Sequence, residues 1–169
     1  MKYFYPALLG IMLTFYACST KQYVTTSSAK RIDKSVDFVI IKNDFSLIIP
    51  AGRYPAHTII QNFVVRSQPA ISRIDSLIYF ELKGKGFNAI IIAGQELQQK
   101  PGVNYIKYQD YWAWDFKKYM HVLKIFLYEG ESKAAIMEAV SQGNKMGMHD
   151  YPNPKKQVPI LVEKILNYQ

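Results

Sequence analysis

The side chains able to do chemistry fall in a few places along 169 residues, and the densest of them admit a bland reading beside a functional one. "YQDYWAWDF" is the most unusual stretch: Tyr108, Tyr111, Trp112 and Trp114 are the residue types that stack on sugar rings, with Asp110 or Asp115 to take hydroxyl hydrogen bonds. The same aromatics equally suit the core face of a strand, where each buries a large area. Asp110 and Asp115 lie an odd number of residues apart, so a regular strand points them to opposite faces and denies them the close carboxylate pairing of a glycosidase. "GNKMGMHDYPNP" gathers Met146, Met148 and His149, soft ligands suited to Cu(I), in what otherwise reads as a surface loop. His57, His121 and His149 are far apart, no G-x-S-x-G occurs, and Cys18 is the single thiol. His121 falls beside Leu123 and Ile125 on a strand face, the setting of a core or rim histidine. No Walker or dinucleotide fingerprint is present, because the glycines of "GKG" at Gly84 follow a helix pattern and no strand.

Cys18 is explained by what precedes it. "MKYFYPALLGIMLTFYA" opens on one charge, Lys2, and continues uncharged from Tyr3 to Ala17, which is the layout of a secretory signal. The run is short of the ~20 apolar residues that span a bilayer, and it gives way to polar "STKQYVTTSSAKR". Phe15 and Tyr16 leave one small residue before the cut, which does not suit an ordinary signal peptidase. A cysteine directly after Ala17 instead resembles the lipobox of bacterial lipoproteins, with Phe15 in place of the usual leucine and a bulky Tyr16. That resemblance implies cleavage before Cys18 and acylation of its sulfur and amino group, palmitate being one such acyl group. Several chains suffice for stable anchoring, since each buried methylene is worth about 0.8 kcal/mol and a single chain binds marginally.

The expected organisation is therefore a signal peptide over 1–17, a lipidated flexible tether over 18–34 rich in Ser, Thr, Lys and Arg, and a single globular domain over 35–169. Cleavage leaves 152 residues, with 20 basic against 13 acidic side chains and a formal charge of +7. The basic residues are scattered and form no run of five, which fits a solvated surface facing anionic headgroups or wall polymers better than nucleic acid. No intramolecular disulfide is available to one cysteine.

The elements that position these residues follow from periodicity. Val36 to Asn43 is a β-branched strand, Phe45 to Gly52 a second extended piece, and Thr58 to Val65 a third. Ser67 to Gly86 reads as a helix with Pro69 in its first turn, an apolar stripe of Ile71, Ile74, Ile78 and Leu82, and a glycine stop at Gly84 or Gly86. "FNAIIIAG" is a buried strand. In "VNYIKYQDYWAWDF" period-two alternation puts Tyr108, Asp110, Trp112 and Trp114 on one side and Tyr111, Ala113 and Asp115 on the other. Tyr119 to Glu129 is its antiparallel neighbour, and Ser132 to Gly143 reads as the return arm of a hairpin, although its alanines also suit a helix. Asn153 before Pro154 opens a last helix with Val158, Leu161, Val162 and Ile165 on one stripe, and Pro159 within it is expected to kink or delay it.

This order implies an α+β fold, a two-layer sandwich with a mixed or antiparallel sheet and helices packed on one face. From Ala70 to Leu166 the pattern of types resembles small bacterial envelope lipoproteins whose domain has no assigned function, through "IDSLIYFELKGKGF", "YQDYWAWD", "LKIFLYEGESKAAIMEA" and the "YPNP" step. The resemblance implies fold and location and brings no catalytic residue. The resulting expectation is a non-enzymatic interaction or assembly module without cofactor or metal, anchored to the membrane through lipid on Cys18. Ser19 after the cysteine, rather than Asp, is compatible with outer-membrane sorting under the rule of the enteric lipoproteins that the lipobox resembles, and the partners expected are envelope proteins or peptidoglycan. A cell-wall glycan-binding module built on Tyr108, Tyr111, Trp112 and Trp114 is the second reading.

Overall fold

The computed structural model describes residues 20–26, 35–49, 66–94, 99–115, 117–132, 135–142 and 151–167. Cys18, the expected strand over 58–65 and the Met146, Met148 and His149 group lie outside them. Eight strands and two helices are described: β1 (Lys21–Thr26), β2 (Phe38–Lys42), β3 (Phe45–Ile48), β4 (Arg66–Pro69), α1 (Ile74–Gly84), β5 (Ala89–Ala93), β6 (Asn104–Asp115), β7 (Lys117–Glu129), β8 (Met137–Gln142) and α2 (Pro154–Leu166). The strands make one mixed sheet in the order β1-β8-β7-β6-β2-β5, with β3 joining β6 and β4 joining β3. The chain is thus α+β, a mixed open sheet with two helices. β2 runs parallel to β5 and β6, while the β6-β7-β8-β1 run is antiparallel.

Alternation along the strands sorts side chains between two faces. Phe38, Ile40, Ile106, Trp112, Leu123, Ile125 and Met137 share one core with Ile74, Ile78 and Leu82 of α1 and Val158, Leu161, Val162 and Ile165 of α2. Each such side chain, fully buried, stabilises by about 1.5–3 kcal/mol relative to exposure. The opposite face holds two smaller clusters, Tyr111 with Ala113, Tyr119, Val122 and Val140, and Val39 with Ile41 and Tyr105. The split of Tyr108 and Trp112 from Tyr111 and Ala113 is the one that alternation predicts.

α2 begins where its sequence says. Asn153 is extended, and its side chain accepts the Lys155 N–H at 3.0 Å ahead of Pro154 at the first helical position. Because the helix is already under way at Pro154, Pro159 does not delay it. α1 ends in a Schellman turn, in which Gly86 N–H bonds Lys83 C=O and Phe87 N–H bonds Leu82 C=O. Gly86 sits at φ 84°, and Phe87 packs on the core that holds Leu82.

Two expectations are corrected. Pro69 is not in a helical first turn: Arg66 to Pro69 pairs antiparallel with β3, Phe45 opposite Pro69, and α1 starts at Ile74. A proline lacking N–H suits the end of an edge strand as well as a helix start, and the three polar residues before it, Arg66, Ser67 and Gln68, show no helical stripe. Residues 21–26 of the expected tether form β1 on β8, from Lys21 opposite Gln142 to Thr26 opposite Met137. Val24 packs on the helix-side core and Gln22 Nε2 donates to Gln157 Oε1 of α2 at 2.7 Å, contacts that polar composition conceals. His121, expected as a core or rim histidine beside Leu123 and Ile125, is buried at a break in the register of β7. Tyr111 opposes Val122 but Trp112 opposes Met120, so His121 is the extra residue of a β-bulge and Met120 joins the helix-side core. The return arm over Ser132 to Gly143 is a strand from Met137 to Gln142.

Candidate functional site

β6 carries most of the predicted site residues, and its surroundings explain their types. Along one edge it pairs first with β2, at Asn104 to Ile106, and then with β3, at Tyr111 and Trp112. The residues between face the turn that joins β2 to β3. There the Tyr108 hydroxyl accepts from Asn43 N–H at 3.1 Å and donates to Asn43 C=O at 3.2 Å. Burial pushes this phenol up to about 12, against the Asn43 hydrogen bond that lowers it.

Two residues on, the buried Asp110 Oδ2 accepts from Ser46 Oγ and from Trp112 Nε1, both at 2.6 Å. Ser46 Oγ in turn accepts the Ile71 N–H at 2.9 Å, just ahead of α1. Desolvation raises the Asp110 carboxyl above the usual carboxylate range, while the Ser46 and Trp112 bonds pull it down. At the start of α1 the Arg73 guanidinium forks onto Asp75 at 3.1 and 3.2 Å, with the Asp75 carboxylate buried in the positive end of the helix dipole. This cluster fixes β3, β6 and the α1 entry to one another. Asp110 therefore spends its lone pairs inside the fold.

Tyr108, Tyr111 and Trp112 are buried, Trp112 being 8% exposed, and Tyr111 lies on the face opposite the other two. The four aromatics thus do not make one open platform. Trp114 alone presents its ring, 59% exposed, with Lys118 Nζ 5.7 Å from its centroid. The physical reason is the length of β6: among the described residues its pairing with β3 ends at Trp112, while its pairing with β7 runs on to Asp115.

Sequence reasoning missed the Ser46 link, where a lone polar residue inside the apolar run "FSLIIP" is the signal available. It also missed the two surfaces on the non-helical face. Near its middle, Lys124 Nζ reaches Glu138 Oε1 at 2.9 Å, and Lys107 Nζ lies 4.9 Å over the Tyr128 ring. Burial raises the Tyr23 and Tyr128 hydroxyls, and the Glu138 charge raises them further.

Along β2 and β5 runs a groove of about 370 Å³ lined by Val39, Ile90, Ile92, Val103 and Tyr105, with Asp37 and Lys100 among its polar residues. One wall is held by the Tyr105 hydroxyl, which accepts Lys100 N–H at 2.7 Å. Ile90 is 52% exposed beside it. Among the described residues no group of three or more His, Cys, Asp or Glu could hold a metal ion, and no helix is long and apolar enough to cross a membrane.

No protein-family model matches the chain, and no curated protein matches it. Among solved structures it is similar to the PelC dodecamer from Paraburkholderia phytofirmans, in the unaltered protein and in a single-substitution variant. Each comparison covers 86% of this chain and 95% of the other at 11% identity, with a TM-score of 0.41.

Proposed function

We propose that this chain is a lipoprotein of the bacterial cell envelope, anchored through lipid on Cys18, that acts as a non-enzymatic interaction or assembly module. Its domain is a two-layer sandwich in which α1 and α2 cover one face of the sheet and leave the other for contacts. The observation that supports an interaction role is the surface at β5, where half-exposed Ile90 borders an apolar groove on the outermost strand of the sheet. Ser19 after the cysteine supports the outer membrane as the anchoring membrane, and the mature charge of +7 suits a surface near anionic headgroups or wall polymers.

Retention of envelope proteins on the full-length lipidated chain tests this reading, compared with Ile90→Lys. Loss of the retained proteins in the variant is the expected result; an unchanged set refutes the β5 surface. In the same strains, Cys18→Ser is expected to leave the membrane fraction, and persistence there refutes the lipid anchor.

A further inference from the structure

We propose that β5 pairs edge to edge with β5 of a second copy of this chain, making an antiparallel two-fold dimer with one continuous sheet. The sheet has three strands with a single described neighbour: β1, β4 and β5. Natural proteins blunt such edges with charge, proline or a bulge, since bare backbone invites another strand. β1, "KQYVTT", is polar and begins with Lys21, and β4, "RSQP", carries Arg66 and Pro69. β5 has none of these devices: it is Ala-Ile-Ile-Ile-Ala, uncharged, and in unbroken register with β2.

Backbone phase makes that edge self-complementary. Phe38 is in register with Ala89, and its N–H bonds Asn88 C=O at 2.9 Å. In a parallel ladder this turns the backbone groups of Ile90 and Ile92 toward β2 and those of Ala89, Ile91 and Ala93 outward. The sequence of β5 also reads identically in both directions. About a two-fold axis at Ile91, Ile91 meets its own copy and Ala89 meets Ala93, so all three outward residues fall at hydrogen-bonded positions and exchange about six bonds. Ile90 then lies opposite Ile92 on the face that carries the groove, and the two grooves join. An edge this short buries less than about 1,000 Å², so the dimer is weak, with Kd on the order of 10 μM.

This inference rests on the reading of the β5 side as an interaction surface. Sedimentation of the full chain in mild detergent is expected to show a concentration-dependent monomer–dimer equilibrium. Ile90→Lys/Ile92→Lys and Ile90→Glu/Ile92→Glu should each weaken it at least tenfold, and an equimolar mixture of the two should dimerise again, because residue 90 faces residue 92. Ile91→Pro removes an outward N–H, leaves the ladder to β2 intact, and should abolish dimerisation with circular dichroism unchanged. Single Ile90→Lys, at a half-exposed position, serves if the double variants do not fold. A chain that stays monomeric to about 0.5 mM, variants that dimerise as well as the parent, or folded charge variants whose mixture stays monomeric would each overturn the proposal. A monomer that still retains envelope proteins, and loses them with Ile90→Lys, overturns the self-pairing while keeping the broader reading, with an extended segment of another protein on β5.

Discussion

Ser46→Ala is the substitution that best tests the buried network at β6. The Ser46 hydroxyl is fully buried and has two partners, donating to Asp110 Oδ2 at 2.6 Å and accepting from Ile71 N–H at 2.9 Å. A hydrogen bond to a charged group contributes about 1.5–3 kcal/mol, and the part-buried amide adds about 1 kcal/mol when it loses its acceptor. The expected loss is therefore about 2.5–4 kcal/mol, or about 5–16 °C in Tm for a chain of this size. It also depends on pH with a definite sign. Asp110 holds its proton to higher pH in the fold than in the unfolded chain, so its contribution is fully present below the ordinary carboxylate value and declines as pH rises through the raised one. The Ser46 bond opposes that decline by favouring the charged form. Without it the decline deepens, and Ser46→Ala costs more at pH 7 than in acid.

Urea unfolding of the parent, Ser46→Ala, Asp110→Asn and the double variant, at pH 7 and again near the acid limit of the fold, measures both effects. The double-mutant cycle should return a coupling of about 1–2 kcal/mol at pH 7. A Ser46→Ala cost under about 0.5 kcal/mol, or a coupling indistinguishable from zero, would refute the account of Asp110 as the junction of β3 and β6.

The two tryptophans should behave oppositely. Trp112→Ala is expected to cost about 3–5 kcal/mol and Trp114→Ala less than about 0.5 kcal/mol, and in the single-tryptophan variants acrylamide should strongly quench Trp114 and barely reach Trp112. Equal quenching would contradict the burial assigned here. Tyr108, raised to about 12, stabilises the fold fully below the ordinary phenol value of about 10, and that contribution fades as pH rises from there to 12. Ultraviolet titration should show one tyrosine, absent in Tyr108→Phe, that ionises only near the upper end of that range.

Much of the fold was legible because its strongest signals are local. The β-branched runs of β2 and β5, the alternation of β6, and the Asn-Pro entry and apolar stripe of α2 each need only a few neighbouring residues to be read. The failures came where the deciding contact is distant in sequence. β1 is polar and earns its place only against β8, more than 110 residues away. Pro69 fits a helix start and a strand end equally well, and the pairing of Phe45 with it decides between them. The bulge at His121 has no local mark, since what requires it is the register that seats both Val122 and Met120. For the candidate site, the sorting of Tyr108 and Trp112 from Tyr111 was readable, but exposure was not. Burial depends on β3 lying beside β6, and no periodicity reports a neighbour.

That neighbour also explains why so many aromatic and acidic residues collect in one strand. β6 changes partner along a single edge, from β2 to β3, and a sheet edge that changes partner exposes backbone at the seam. Tyr108 satisfies the seam at Asn43, while Asp110 ties Ser46 of the incoming strand to the indole of its own. The ensuing pair, Leu47 with Tyr111 and Ile48 with Trp112, then carries the sheet onward, and Ile49 N–H bonds Trp112 C=O at 2.8 Å. Tyr108, Asp110 and Trp112, which look like part of a binding platform, are thus the fittings of a strand exchange. The strand that leaves apolar backbone without charge or proline among the described residues is β5, the surface on which the proposed interaction role rests.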